Sequence, residues 1–212
     1  MKYIIKGIEP QEFTGWKALA NEDWAPTYGE LRGVEKRVVH ESLWHEQGGL
    51  CCYCENSIGI EDSHIEHFRP QNDPAVDPLD YGNMLCSCQQ KDKKKAPQHC
   101  GKKKGGWFDS NLLISPLDPT CEDRFAFAAD GSIRAKNADD EAAEITIKKL
   151  ELDCYKLQRL RKAVIDGFLK DDLNDEEMKE LVLAWLGPDN NGLFGAFYTT
   201  VTYLFGQWLI ET

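Results

Sequence analysis

The stretch "CCYCENSIGIEDSHIEHFRP", Cys51 to Pro70, places a C-x-x-C pair directly before a cluster of histidine and glutamate. Cys51 and Cys54 have the spacing that lets two thiolates bind one Zn²⁺. Redox motifs share this spacing, but they need the first cysteine at the N-terminus of a helix. Here the predicted helix, residues 28–47, precedes the pair, and this order favours zinc.

The second half of a four-cysteine site must come from Cys86, Cys88 or Cys100. Eleven residues separate Cys88 from Cys100, which differs from the compact C-x-x-C of common zinc knuckles. Cys86 and Cys88, in C-x-C, form the alternative pair, and the residues themselves leave this choice open. A free cysteine behaves as a small apolar residue, so we expect simple burial for the rest: Cys52, Cys121 and Cys154.

"HIEHFRP" is typical of the end of a short strand that turns at Pro70. Alternate side chains of a strand share a face, so His64 and Glu66 point one way and His67 the other. An adjacent Glu-His pair can therefore present a carboxylate to a metal and an imidazole to a water molecule. Histidine suits a general base near neutral pH. The alternative is a polar strand on the surface.

The chain is acidic as a whole and basic in one place. Its formal net charge of −11 argues against non-specific binding of nucleic acid. Between residues 85 and 106, however, seven lysines face a single aspartate, in the runs Lys91–Lys95 and Lys102–Lys104. Lysines that neutralise phosphates release counterions, so such an island is typical of a contact with a phosphate backbone. A solvated loop is the alternative for the first run.

Length and composition indicate a cytoplasmic protein of ordinary domain size. No segment reaches the roughly 18 to 20 apolar residues of a membrane span, and "MKYIIKGIEPQEF" turns polar too early for a signal peptide. The chain contains eight cysteines. Because the cytosol keeps thiols reduced, these cysteines point to metal binding or burial rather than to disulfides.

Periodicity and turn residues predict the other elements. We expect a short strand at 1–10, an irregular aromatic arm, and the helix at 28–47, which ends at Gly48. "FAFAADGSIRA" predicts a hairpin, and three helices follow, of which one is capped by Asp139 or Asp140 and one begins near Asn174. The aromatic stretch after them is a buried helix or a surface for a partner.

Four separated elements occur in a specific order: "CCYCE", "HIEHFRP", "YGNMLCSCQ" and "HCGKKKG". Together they resemble the HNH endonucleases of the ββα-metal type, and more narrowly the nuclease subunit PtuB of Septu anti-phage defence systems and its retron-associated relatives. The resemblance covers the chain to about Phe168. It implies an α+β fold with a ββα-metal nuclease core and a zinc knuckle, followed by a mainly α-helical C-terminal region. The predicted segments are the arm and helix, 1–50, the nuclease core, 51–112, and the helical region, 113–212.

The resemblance also implies roles for individual residues. Its acidic-histidine pair falls on Glu66, as ligand of a catalytic Mg²⁺ or Mn²⁺, and on His67, as general base. Its central asparagine falls on Asn83, whose side chain would hold the base-bearing loop in place. Its structural zinc ligands fall on four cysteines, which favours Cys88 over Cys86: Cys51, Cys54, Cys88 and Cys100.

One position departs from the family pattern. Many HNH enzymes carry an asparagine or histidine directly after the last cysteine as a second metal ligand, where this chain has Gly101. His99 is the nearest replacement, with His64 and Asp109 as further candidates. For the DNA backbone we expect contacts from four cationic residues: Arg69, Lys102, Lys103 and Lys104.

The resemblance implies a metal-dependent DNA endonuclease that acts in phage defence with an ABC/SMC-like ATPase subunit. We expect the acidic helical half to dock this ATPase, so the oligomeric state is set by the complex. The alternative is a non-catalytic zinc-binding adaptor that recruits a partner through its helical half. Loss of His67 discriminates the two, because only the nuclease needs a general base.

Overall fold

The computed structural model describes residues 1–89, 97–169 and 173–209, which form an α+β structure of short helices and small two-stranded sheets. The strands are β1 (Ser63–His67), β2 (Met84–Cys88), β3 (Phe125–Phe127) and β4 (Ile133–Ala135). The helices are α1 (Gln11–Lys17), α2 (Gly33–Glu46), α3 (Cys100–Lys104), α4 (Glu141–Leu150), α5 (Tyr155–Phe168), α6 (Asp175–Leu186) and α7 (Tyr198–Phe205). In the described ranges, no helix is long and apolar enough to cross a membrane.

Helix α2 ends just before the turn that carries the first cysteine pair. The predicted stop is confirmed, because Gly48 has a φ of +58° and a Cβ there would overlap the ring of Phe194. The buried Gln47 side chain donates to the carbonyl of Cys86 at 2.8 Å and accepts from its N–H at 2.7 Å. The Cys52 N–H donates to the same carbonyl. These bonds join the end of α2 and the cysteine turn to β2.

Strands β1 and β2 form an antiparallel pair in which Ser63 lies opposite Cys88 and His67 lies opposite Met84. The connection between them begins at Phe68, whose N–H donates to the carbonyl of Asn83 at 3.0 Å, so its two ends are closed by a backbone bond. Helix α3 lies against β2. This arrangement places the end of β1, the start of β2 and the end of α3 together.

Two hydrophobic clusters form the interior. The first draws on all three predicted segments, including Phe13, Leu43 and Leu157, and it encloses the cysteine turn. The second lies between the end of α5, α6 and α7, where the rings of Phe168 and Phe205 stack with centroids 4.8 Å apart. The segment boundaries at 50 and 112 stay a prediction.

The hairpin and the helix caps are confirmed. β3 and β4 pair antiparallel across the predicted turn. The Asp140 side chain accepts from the N–H of Ala143 at 3.0 Å, and the Asn174 side chain accepts from the N–H of Glu177 at 3.1 Å. Short-range turn and capping chemistry therefore identified these elements from the chain alone.

The N-terminal predictions were wrong. Residues 1–10 form no strand, because their backbone contact with the body is a bond from the Ile4 N–H to the carbonyl of Pro116 rather than a ladder. The expected irregular arm contains α1, which packs against α2 through a fully buried Phe13. Tertiary packing decides both outcomes.

Candidate metal site and active site

The Sγ atoms of four buried cysteines all lie within 4.8 Å of one another: Cys51, Cys54, Cys88 and Cys100. An ion with tetrahedral Zn–S bonds of about 2.3 Å separates its sulfurs by roughly 3.8 Å. The Cys54 and Cys88 sulfurs are 4.0 Å apart, so the donor set and its spacing fit a structural zinc. Cys86, the alternative, is also buried, but its sulfur is not part of this group.

The thiols of this group influence one another's protonation. Burial opposes ionisation of Cys51, but hydrogen bonds from the neighbouring thiols outweigh it and hold its pKa well below the usual value. Burial, together with hydrogen bonding to that thiolate, raises the pKa of Cys100 well above the usual value. A bound zinc ion would favour the thiolate form of its ligands, because a coordinating thiol loses its proton.

His99 lies beside the cysteine group, so its contacts do not meet the expectation of a ligand next to Glu66. Its Nδ1 is 3.2 Å from the sulfur of Cys100 and 3.6 Å from that of Cys88, and its Nε2 is 3.5 Å from the Lys156 ammonium. Burial lowers the pKa of His99 to about 4. A neutral imidazole with N–H on Nδ1 can donate to the thiolates and orient them.

Glu66 is the centre of a second polar group, on the face of β1 that meets α3. Its Oε1 accepts from the Lys104 ammonium at 3.0 Å and from the Tyr53 hydroxyl at 3.2 Å, while its Oε2 faces His64 Nε2 at 3.5 Å. Burial opposes ionisation of Glu66, but His64 and Lys104 outweigh it and hold its pKa below the usual value. The site thus contains a buried, ionised carboxylate.

The backbone of α3 approaches the Glu66 carboxylate closely at Gly101. A Cβ on Gly101 would overlap Glu66 Oε2, so only glycine leaves room for the carboxylate in its present position. The Gly101 N–H donates to the buried Ser87 hydroxyl at 3.2 Å, which holds the start of α3 over the sheet. Within the described ranges, the atoms nearest to a Cβ on Gly101 that could bind a metal are Glu66 Oε2 and His64 Nε2.

His67 lies on the other side of β1, as strand alternation predicts. Its Nε2 is 2.9 Å from the carbonyl of Pro78, and its Nδ1 is 3.2 Å from the Gln71 amide. The ring of Tyr28 packs edge-on against it, with centroids 4.4 Å apart. Burial lowers the pKa of His67, although the bond to Pro78 acts in the opposite direction, and a lowered pKa favours the neutral imidazole.

Asn83 contacts the segment that follows His67. Its Oδ1 accepts from the Arg69 N–H at 2.8 Å, and its Nδ2 donates to the Arg69 carbonyl at 2.9 Å. One buried amide thus makes two hydrogen bonds with the backbone of a single residue. This bidentate contact fixes the path of the chain directly after His67.

The cations expected to meet DNA have different environments. Lys104 is buried, and its ammonium also donates to the carbonyl of His67 at 3.0 Å, so it belongs to the interior of the site and not to its surface. Lys103 is exposed, with its ammonium 3.2 Å from the Glu151 carboxylate. Lys102 is half-buried, and Arg69 pairs with Asp73 at 2.8 Å. The run Lys91–Lys95 lies outside the described residues.

Sequence reasoning missed three side chains of this region. Tyr53, between the first two zinc-ligand candidates, donates to Glu66, and burial raises its pKa well above the usual value. Tyr28 covers His67, and Ser87 anchors α3. The residue types carried no signal, because their roles depend on segments that are distant along the chain.

The sequence is similar to the protein named "Retron Vc95 putative HNH endonuclease" of Vibrio cholerae serotype O1 biovar El Tor. The two chains are 32% identical over 147 residues, which cover 66% of this chain and 69% of the relative. No family model matches the sequence. Identity at this level over most of both chains indicates common ancestry and a common fold.

The cysteine assignment predicts a matched pair of outcomes. Cys88→Ala removes a sulfur from the four-thiol group, so we expect zinc content to fall from about one ion per chain to a small fraction of it. Cys86→Ala removes an equally buried sulfur outside the group and should retain zinc. Elemental analysis of the purified variants measures both. Retained zinc in Cys88→Ala with loss in Cys86→Ala would reverse the assignment.

Proposed function

The chain belongs to the retron-associated HNH endonuclease family, and from this premise we propose that it is a metal-dependent endonuclease that hydrolyses DNA phosphodiester bonds. The observation that carries the proposal is the adjacent Glu66–His67 pair, with the carboxylate buried against α3 and the imidazole on the other side of β1. The order of β1, β2 and α3, next to four clustered cysteines, supports a ββα-metal core with a structural zinc.

His67 is proposed as the general base. A carbonyl oxygen only accepts hydrogen bonds, so the contact with Pro78 places the ring proton on Nε2. The neutral ring then has its lone pair on Nδ1, which now accepts from the Gln71 amide. Nδ1 takes a proton from water as the water oxygen bonds to phosphorus. The bond from phosphorus to the 3′-oxygen breaks, that oxygen takes a proton from solvent water, and the products carry a 3′-hydroxyl and a 5′-phosphate.

Glu66 is proposed as a ligand of the divalent ion. A carboxylate oxygen suits the hard cations Mg²⁺ and Mn²⁺, and the buried, ionised state of Glu66 fits this use. When bound, such an ion stabilises negative charge on the phosphate and on the leaving oxygen. Lys104 and Tyr53 hold Oε1, which orients the carboxylate so that Oε2 faces His64.

Asn83 and His99 are proposed as positioning residues. Asn83 holds the backbone of Arg69 at both its N–H and its carbonyl, which keeps the His67 end of β1 in place. His99 was expected at the catalytic ion, but its contacts with the Cys88 and Cys100 sulfurs favour support of the structural zinc.

Replacement of the base tests the function. We expect His67→Ala to lower the rate of Mg²⁺- or Mn²⁺-dependent plasmid cleavage by about 10² to 10⁴-fold, the usual contribution of a general base. Zinc content should change little, whereas the urea unfolding midpoint should fall somewhat, because a buried ring that packs against Tyr28 is removed. His45→Ala, at an exposed histidine of α2, is the matched control and should cleave normally.

If His67→Ala cleaves DNA at the wild-type rate, His67 is not the general base and the proposed mechanism is wrong. A non-catalytic adaptor would also retain its biological activity in this variant, whereas a nuclease would lose it. The same variant therefore separates the endonuclease from the alternative function.

The phosphate backbone is proposed to run past the exposed side of α3. Lys103 and Glu151 are each more than two-fifths exposed, so their ion pair is weak and a phosphate can replace the carboxylate. Lys102 lies next to it, and Arg69 lies at the loop held by Asn83. Lys104 has no part in this contact, since it is buried against Glu66.

Salt dependence tests this contact. Each phosphate contact adds about 0.9 to the slope of log affinity against log salt for duplex DNA. We therefore expect Lys102→Ala and Lys103→Ala each to reduce the slope by about that amount. Binding is measured without added Mg²⁺ or Mn²⁺. Lys136→Ala, which breaks a similar surface pair with Asp123, is the control, and equal slopes in all variants would refute the contact.

We further propose that the protein acts in anti-phage defence with an ABC/SMC-like ATPase that binds its helical half. Helices α5, α6 and α7 form their own hydrophobic cluster, yet Leu183 of α6 remains 52% exposed. We place the contact at this side chain because it is a large apolar residue of the helical half that remains exposed.

Introducing a charge on α6 tests whether this helix contacts the ATPase. We expect Leu183→Arg to lose co-purification with a co-expressed ABC/SMC-like ATPase, because the buried guanidinium would be unpaired. Val34→Arg, at a similarly exposed apolar residue of α2, should still co-purify. Normal complex formation by Leu183→Arg would exclude this surface as the contact.

A further inference from the structure

We propose that His64 is the second protein ligand of the divalent ion, and that β1 therefore supplies both protein ligands while α3 supplies none. This inference rests on the proposed function, because it concerns the ion of the same site. It goes beyond that function by naming the residue that replaces the family's second metal ligand, which Gly101 cannot supply.

The two side chains already face each other on one surface of the strand. His64 lies opposite Ser87 and Glu66 lies opposite Leu85 in the β1–β2 pair, so both point toward α3. His64 Nε2 is 3.5 Å from Glu66 Oε2, which is too long for a good N–H···O bond. Two ligands of one Mg²⁺, at bonds of about 2.1 Å, lie roughly 3 Å apart in an ideal octahedron. The observed 3.5 Å exceeds that value, so the two side chains would have to move slightly closer to share one ion.

The His64 ring has nitrogen atoms available for binding. Within the described ranges, its Nδ1 is buried and has no hydrogen-bond partner, and its Nε2 makes only the long contact with Glu66. Native structures rarely leave a buried polar atom without a partner. Nε2, which faces Glu66 Oε2, is the nitrogen placed to bind a cation, and the neutral ring would then carry its N–H on Nδ1.

Position 101 has no space for a ligand side chain. A Cβ there would overlap Glu66 Oε2 and would lie 3.0 Å from His64 Nε2. The bond from the Gly101 N–H to Ser87 keeps α3 at this close distance. Because Gly101 has no side chain, the Glu66 carboxylate and the His64 imidazole of β1 can occupy the space next to α3.

The other candidates are engaged elsewhere. His99 contacts the cysteine sulfurs, and the Asp109 carboxylate accepts from the N–H groups of Asn111 and Leu112 in a turn. Lys104 binds Oε1 of Glu66 and leaves Oε2 to face His64. Two protein ligands are sufficient for Mg²⁺ or Mn²⁺, which keep several water molecules and bind substrate phosphate oxygens.

Mn²⁺ binding to the zinc-loaded, full-length protein tests the proposal without any assay of cleavage. Electron paramagnetic resonance measures free Mn²⁺ and hence the affinity. We expect His64→Ala to bind Mn²⁺ at least tenfold more weakly than wild type, with unchanged zinc content. His64→Asn, which keeps an amide oxygen, should lie between the two, and His45→Ala should match wild type.

A second variant tests the same geometry without removing a donor. Gly101→Ala should also weaken Mn²⁺ binding, because its methyl group must displace Glu66 Oε2. If wild type cleaves DNA and binds Mn²⁺ but His64→Ala and His64→Asn bind it equally well, His64 is not a ligand and the proposed function stands. If wild type neither binds Mn²⁺ nor cleaves DNA with it, the proposed function fails together with this inference.

Discussion

The sulfurs of Cys51, Cys54, Cys88 and Cys100 bring together the cysteine turn, the end of β2 and the start of α3. The secondary-structure elements around them are short. Strands β1 and β2 have five residues each, and α3 has five. A two-stranded sheet is marginal in water, and a helix of this length does not form by itself. A zinc ion bound by these cysteines, at the cysteine turn, the end of β2 and the start of α3, would supply the constraint that sheet area and helix length do not.

The position of Glu66 follows from that constraint. Once α3 begins at Cys100 against the sheet, its last residue, Lys104, reaches back to Glu66 and to the carbonyl of His67. A buried ion pair contributes little net stability, but the loss of one partner is costly. The Lys104–Glu66 pair therefore acts mainly to fix the orientation of the Glu66 carboxylate between β1 and α3.

The alternation of β1 separates the two kinds of chemistry. Glu66 points to α3, where backbone and charge surround it, and His67 points to Tyr28 and Pro78, where a carbonyl selects its tautomer. Because successive strand residues alternate faces, one dipeptide serves two environments. The zinc group and the polar site share α3, so a disturbance of either is expected to reach the other.

The sequence by itself determined the cysteine spacing, the Glu-His pair, the hairpin at β3 and β4, and the caps at Asp140 and Asn174. These features depend on neighbours along the chain, where turn chemistry and strand alternation act directly. Only the tertiary structure decided that Lys104 lies inside while Lys103 lies outside. The three lysines look alike in sequence, but each helix residue turns by about 100°, and packing selects which one faces Glu66. The association of His99 with the thiols, and of His64 with Glu66 over Gly101, likewise required segments far apart in sequence to meet.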